Sequence, residues 1–134
     1  MNAVRLFWGI GLALIGAHVM GSSYPNVDSV NRFIQEHPRS VILFQRNGCP
    51  YCAHVRPLFD AVQEKYADRA GMVSFLSVDV IADPYNLKEA FNFATVPTFI
   101  YIKDGIEQTQ LRHGSDNKRL KQSDIEKRIE AICV

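Results

Sequence analysis

Only three of the 134 residues are cysteine, one is tryptophan, and neither sign of charge dominates. Each shortage excludes something. A small scaffold stapled by disulfides uses four, six or eight cysteines, so this fold must rest on its core, with one cysteine left over from any pair. The 15 Lys and Arg side chains face 14 Asp and Glu, and no basic run interleaves with aromatics, so neither nucleic acid nor an anionic surface is electrostatically favoured. Repeats, linkers and low-complexity tracts are missing too. What is present is 47% hydrophobic content in a length suited to one domain, enough for a real core.

The one long uncharged apolar run, "LFWGIGLALIGAHVM", follows Arg5 and ends in "GSS". A positive start, an apolar stretch of about 7 to 15 residues and small residues behind it are signal-peptide grammar, whereas a spanning helix wants about 20. Residues 1–23 are therefore expected to be a signal peptide cleaved near Gly21 or Ser23, or else an uncleaved N-terminal anchor, with the domain at 24–134. Either way the domain is exported, periplasmic or secreted in the first case and membrane-anchored facing the periplasm in the second. Removing residues 1–23 takes away Arg5 and no acid, which leaves the remainder neutral. In an oxidising compartment, cysteines can hold disulfides.

The rest reads as alternating elements. "VDSVNRFIQEH" puts Val27, Val30 and Ile34 on one helical face, with Phe33 beside them and Pro38 as the stop. "SVILFQ" is a continuous apolar run, as in a central strand buried on both faces. A helix is expected from Pro50 to about Arg69, with Val55, Leu58, Phe59, Val62 and Tyr66 at helical spacing and a kink at Pro57. "MVSFLSVDV" is the next strand. Asp83 and Pro84 open a helix with Leu87, Ala90, Phe91 and Ala94 as its apolar stripe. "TFIYIK" and "IEQTQL" flank Asp104-Gly105, a strong hairpin signal. A last helix is expected from Ser123, where Ser-Asp-Ile-Glu forms a capping box, burying Ile125, Ile129 and Ile132.

From Ser40 onward the order is strand, helix, strand, helix, strand, strand, helix. This is an α/β fold, a mixed sheet of about four strands flanked by helices. The right-handed crossover makes the first strand pair parallel, and the hairpin makes the last antiparallel. "NGCPYCAHVRP" then lies at the carboxyl end of a central strand, where open α/β sheets put their sites.

Position gives this pair its chemistry. Cys49 precedes a helix whose first turn has unpaired N–H groups and the positive end of the macrodipole, and both favour a sulfur anion. Pro50 suits the first helical position because it has no N–H to lose. Cys52 is one turn inside, within reach of Cys49. Cys49 can thus attack a disulfide and Cys52 can resolve the mixed disulfide, or the steps can run backwards to oxidise a dithiol. Zinc would need further ligands, but there is no second pair, and His37, His54 and His113 show no ligand spacing. Inert packing of the pair is the other alternative, and an exposed strand-to-helix junction is a poor place for it. Cys133 shares a face with Ile129 and is expected to pack as a small apolar residue. Tyr51 either tunes the leaving thiol and contacts substrate or is simply exposed; His54 reads as a solvated helix residue.

"CPYC" after a buried strand, Pro57 in the following helix and "TVPTFIYIKDG" leading into a hairpin resemble the thioredoxin superfamily over about Val27 to Val134. The resemblance implies a thioredoxin fold in which the Val96-Pro97 bond is cis and faces the Cys49 sulfur, with the Val96 backbone pairing to a bound substrate strand. It implies Cys49 and Cys52 as catalytic residues, and Pro50, Tyr51, Val96 and Pro97 as substrate contacts. Within the superfamily "CPYC" is the glutaredoxin dipeptide, and "HGSDNKRL" resembles a glutathione-binding Gly-Ser-Asp stretch. The spacing from Pro97 to Gly105 is that of thioredoxins. Where thioredoxins carry a tryptophan before the first cysteine, a buried aspartate and a lysine beneath it, this chain has Gly48, Leu43 and Phe75. Cys52 must then lose its proton to water, to the Cys49 thiolate or to a substrate group.

The expected function is an exported thiol-disulfide oxidoreductase acting on protein thiols or disulfides, as reductase, isomerase or oxidase. A redox partner would recycle the pair; no cofactor, metal or nucleic acid is needed, and the membrane enters only through an uncleaved N-terminal segment. The alternatives are a peptide-binding module that hardly uses its cysteines and a glutathione-linked, glutaredoxin-like enzyme.

Overall fold

The computed structural model describes residues 26–69, 71–82, 84–114 and 119–134. The N-terminal segment, the Asp83 cap and the Gly-Ser-Asp stretch beyond Gly114 lie outside the described residues. Helix α1 spans Val27–Glu36, strand β1 Ser40–Gln45, helix α2 Pro50–Lys65 and strand β2 Ser74–Asp79. Then come α3 at Pro84–Phe91, β3 at Thr98–Lys103, β4 at Ile106–Glu107 and α4 at Gln122–Ile132.

The sheet order is β2-β1-β3-β4, with β1 parallel to β2 and antiparallel to β3. Because side chains alternate across a strand, the unbroken run of β1 feeds two cores at once. Ile42 and Phe44 join Val30, Phe33, Leu87, Ile100 and Ile102 on the side covered by α1 and α3. Val41 and Leu43 join Val55, Phe59, Phe75, Phe99, Tyr101, Ile125 and Ile129 on the side covered by α2 and α4. Each fully buried Leu, Ile or Phe contributes about 1.5–3 kcal/mol relative to an exposed one, so the doubly covered β1 is the structural spine.

The hairpin forms at Asp104 and Gly105, whose φ of 55° and 78° are both in the left-handed region that a two-residue turn requires. The Gly105 N–H also donates to Pro38 O at 2.9 Å, tying the turn to the loop before β1.

Several boundaries differ from the sequence expectation. Helix α2 runs through Pro57 to Lys65 and stops before Arg69. After Tyr66 the chain tightens into three-residue bonds, Ala67 N to Glu64 O and Arg69 N to Tyr66 O, and Gly71 completes the reversal. In α3 only Leu87 of the expected stripe is fully buried; Phe91 is half-buried, Ala90 exposed, and Ala94 lies past the helix end. Strand β4 keeps just two residues of "IEQTQL". The Gln108 N–H donates to Tyr101 O at 2.8 Å, and Thr109–Leu111 then coil into a 3-10 turn that brings His113 beside Phe99. Helix α4 is capped two residues early: Asp124 Oδ2 accepts from the Lys121 N–H at 2.9 Å, so Asp124 and not Ser123 closes the first turn. Cys133 caps that helix and packs, partly buried, against the core beside it.

Candidate active site

Strand β1 ends at Gln45, and Asn47-Gly48 turn the chain into α2, with Gly48 at φ 83° where a side chain would be strained. That turn delivers Cys49 as the N-cap residue, extended at φ −93° and ψ 119°. Its sulfur takes the place a capping oxygen would hold, accepting the Cys52 N–H at 3.2 Å. Such a bond strengthens as the sulfur gains negative charge. The Cys49 S–H in turn points at Val96 O, 3.8 Å away, and the Val96-Pro97 peptide is cis. Residues far apart in the chain, Cys49 with Cys52 and Val96 with Pro97, are therefore brought together.

All three cysteines are free thiols. Cys49 is only 6% exposed, which corrects the expectation of an open junction: Gly48, Pro50 and Tyr51 around it are exposed, while its own sulfur tucks under Val96. Cys52 is fully buried. Burial first, and then its hydrogen bond with the Cys49 side chain, push the Cys52 thiol up to about 11; the Arg46 backbone N–H and the Arg56 charge act the other way. No carboxylate stands at the positions where the resemblance would put a proton acceptor and its lysine partner: Leu43 and Phe75 are buried apolar residues in the layer under α2.

A groove of about 320 Å³ opens beside the Cys49 sulfur. Arg46, Pro50, Tyr51, Lys88, Thr95 and Val96 line it together with Cys49. Tyr51 is 39% exposed, so its ring is available to whatever enters. Thr98 Oγ1 donates to Thr95 O at 2.7 Å and ties this part of the lining to β3. Clefts of about 500 and 340 Å³ elsewhere carry no thiol. Among the described residues no group of three or more His, Cys, Asp and Glu is placed to hold a metal.

Sequence reasoning missed two features. Arg56, one helical turn beyond Cys52, donates through Nη2 to the Oε1 of Gln45, a polar side chain 8% exposed at the end of β1. The spacing of Cys52 and Arg56 was visible; the strand-end partner was not. On the same side of the sheet, farther along it, Tyr101 OH meets His113 Nε2 at 2.8 Å inside the core. Burial, helped by the nearby Arg128 charge, pushes His113 down to about 3, and burial pushes the Tyr101 phenol up.

Comparison with known proteins bears on this arrangement. The family model described as Thioredoxin matches residues 24–127. Thioredoxin H-type of Chlamydomonas reinhardtii is 36% identical over 84 residues, which is 63% of this chain and 71% of that protein. Thioredoxin H3 of Arabidopsis thaliana is 38% identical over 66 residues, or 48% of this chain and 51% of the relative. Among solved structures, oxidized mitochondrial thioredoxin 3 from Saccharomyces cerevisiae superposes with a TM-score of 0.67 over 82% of this chain and 93% of its own, at 23% identity. That last likeness speaks for the fold.

Proposed function

The chain belongs to the thioredoxin family of thiol-disulfide oxidoreductases, and on that premise we propose that Cys49 and Cys52 are its redox pair and that it reduces disulfides in extended protein segments. The observation that carries this reading is that Cys49 lines a groove while its Sγ accepts the Cys52 N–H at 3.2 Å. A substrate disulfide entering that groove meets one sulfur only.

Cys49 attacks as the thiolate, its S–S bond to the substrate forms, and the substrate's other sulfur leaves as a thiol after taking a proton. Cys52 then gives up its proton, attacks Cys49 Sγ, and the second substrate thiolate departs as the Cys49-Cys52 disulfide closes. One disulfide is reduced, one dithiol is oxidised, and a reducing partner must restore the pair. The exposed Tyr51 and Pro50 flank the entering chain, and the Val96 backbone beside Pro97 offers it strand-like hydrogen bonds.

A second reading has an observation of its own. Arg46 and Lys88 both line the groove, and glutathione carries two carboxylates, so "CPYC" can serve glutathione-linked exchange. Insulin reduction and glutathione-disulfide reduction by residues 24–134 separate the two, with Cys49→Ser and Cys52→Ser as controls. Turnover of insulin alone supports the protein reductase; turnover of glutathione disulfide alone replaces it. A reduction potential near about −270 mV fits a reductase, and one near about −120 mV an oxidase. We place the domain outside the cytosol on the signal-like residues 1–23, and mass measurement of the protein recovered from an exporting host tests cleavage.

A further inference from the structure

A resolving cysteine needs some device that makes its anion reachable, and the apolar Leu43 and Phe75 leave the usual position for a proton acceptor empty of charge. From the hydrogen bond between Arg56 and the strand-end Gln45, we infer that Gln45 and Arg56 are positioning residues that hold a fixed cation over Cys52 and so stabilise the thiolate that resolves the mixed disulfide. The inference rests on Cys49 and Cys52 being the redox pair.

The placement follows from the backbone. Cys52 and Arg56 are four residues apart on α2, so their side chains lie on one face a turn apart. An arginine there would ordinarily swing into solvent, but Arg56 Nη2 donates to Gln45 Oε1, and Gln45 is 8% exposed at the last position of β1, next to the turn that carries Cys49. Glutamine is the right holder. A neutral amide oxygen fixes the guanidinium without cancelling its charge, whereas a carboxylate would neutralise it. Among the described residues, the groups acting on Cys52 are Cys49, the Arg46 backbone N–H and Arg56, with Arg56 the side-chain cation of that set. It supplies no proton transfer. Cys52 still loses its proton to water or to the departing substrate sulfur; the guanidinium stabilises the anion that results, in the step where the Cys52-Cys49 bond forms and the Cys49-substrate bond breaks.

The magnitude is modest. A unit charge within a turn's distance, partly screened, moves the Cys52 midpoint by about half to one pH unit. One unit upward reduces the thiolate about tenfold while making it about threefold more nucleophilic, so resolution at neutral pH slows about threefold.

The test follows the Cys52 ¹³Cβ chemical shift against pH in the wild-type protein and in Arg56→Met, Arg56→Lys and Gln45→Glu. Wild-type protein is first equilibrated in a glutathione redox buffer; failure to form the Cys49-Cys52 disulfide there overturns the redox-pair reading itself and this inference with it. Where the disulfide forms, Arg56→Met and Gln45→Glu are expected to raise the Cys52 midpoint by about half to one unit, and Arg56→Lys to restore most of it. Arg56→Lys keeps the charge while changing the side chain, so a midpoint shifted in Arg56→Met and recovered in Arg56→Lys marks a role of the charge, which a merely structural role would not show. A midpoint unmoved in Arg56→Met or in Gln45→Glu overturns the assignment.

Discussion

Resolution of the mixed disulfide should be governed by pH far into the alkaline range, because Cys52 attacks only as a thiolate and its thiol is pushed up to about 11. At pH 7 the ionised fraction is then about one in ten thousand, against about one in a hundred for a thiol at the ordinary 9.0. Two contributions change in the intermediate itself. Once Cys49 is bonded to substrate it can no longer be an anion, so the part of the shift that comes from Cys49 falls away and burial, the largest cause, remains. The midpoint in the intermediate should therefore sit between 9.0 and about 11.

A single-turnover assay reads this directly. Cys49 is converted to its mixed disulfide with an aromatic thiol whose anion absorbs, and release of the second chromophore follows attack by Cys52. Because that leaving thiol is already ionised at neutral pH, the rate reports Cys52 alone. The logarithm of the rate should rise with a slope near one from pH 6 to about pH 9 and bend only above it. A plateau reached between pH 7 and pH 8 would refute the reasoning, since it would require a thiol ionising normally or a proton acceptor in contact with it.

Three further outcomes are expected. Leu43→Asp puts a carboxyl into the layer beside Val55 and Phe59; it should lower stability by about 2–5 kcal/mol and bend the resolution profile at a lower pH, and an unchanged profile in the folded variant would count against the missing-acceptor account. His113, held near 3 by burial, should make acid costly: a depressed histidine contributes stability that is complete above about 6.5 and lost as pH falls toward 3. Between pH 7 and pH 4.5 the wild-type protein should lose about 2–3 kcal/mol more than His113→Gln, which keeps an acceptor for Tyr101 without titrating; parallel urea midpoints across that range would sink the idea. Ser40 Oγ is buried with no hydrogen-bond partner among the described residues, so Ser40→Ala should leave urea stability unchanged or raise it by up to about 1 kcal/mol, and a loss above that would mean the hydroxyl has a partner.

Legibility followed sequence distance. β1 could be read because an uninterrupted apolar run has one good solution, a strand covered on both faces, and the hairpin because Asp-Gly tolerates two left-handed residues in succession. Ends were read less well. Ser123 and Asp124 both make good caps, and the winner was set by which of them reached the backbone of Lys121. The strand in "IEQTQL" was cut short by a need its own alternation does not encode: His113 has to come back beside Phe99 and meet Tyr101. A lone histidine carries no sign in sequence that its partner sits on the strand it comes back to.

The candidate site divides along the same line. Cys49 and Cys52 belong to one helical turn, so spacing alone put the two within reach of each other, and the structure adds the Cys52 N–H on the Cys49 sulfur. Val96 and Pro97 came only through resemblance, because nothing local says that a loop before β3 will lie over the start of α2. Gln45 and Arg56 came through neither. A glutamine ending an apolar strand reads as the place where the strand meets water, and an arginine in a helix reads as its solvated face. Yet a strand that feeds directly into a capping turn must place its last residue against the first turns of the helix it feeds, here the face that carries Cys52 and Arg56. A polar residue buried at that one position has to find a partner on the helix. Seen this way, the departure at Leu43 and the glutamine two residues later belong together. The strand that carries a leucine under the second cysteine carries, at its end, the group that holds a cation beside it.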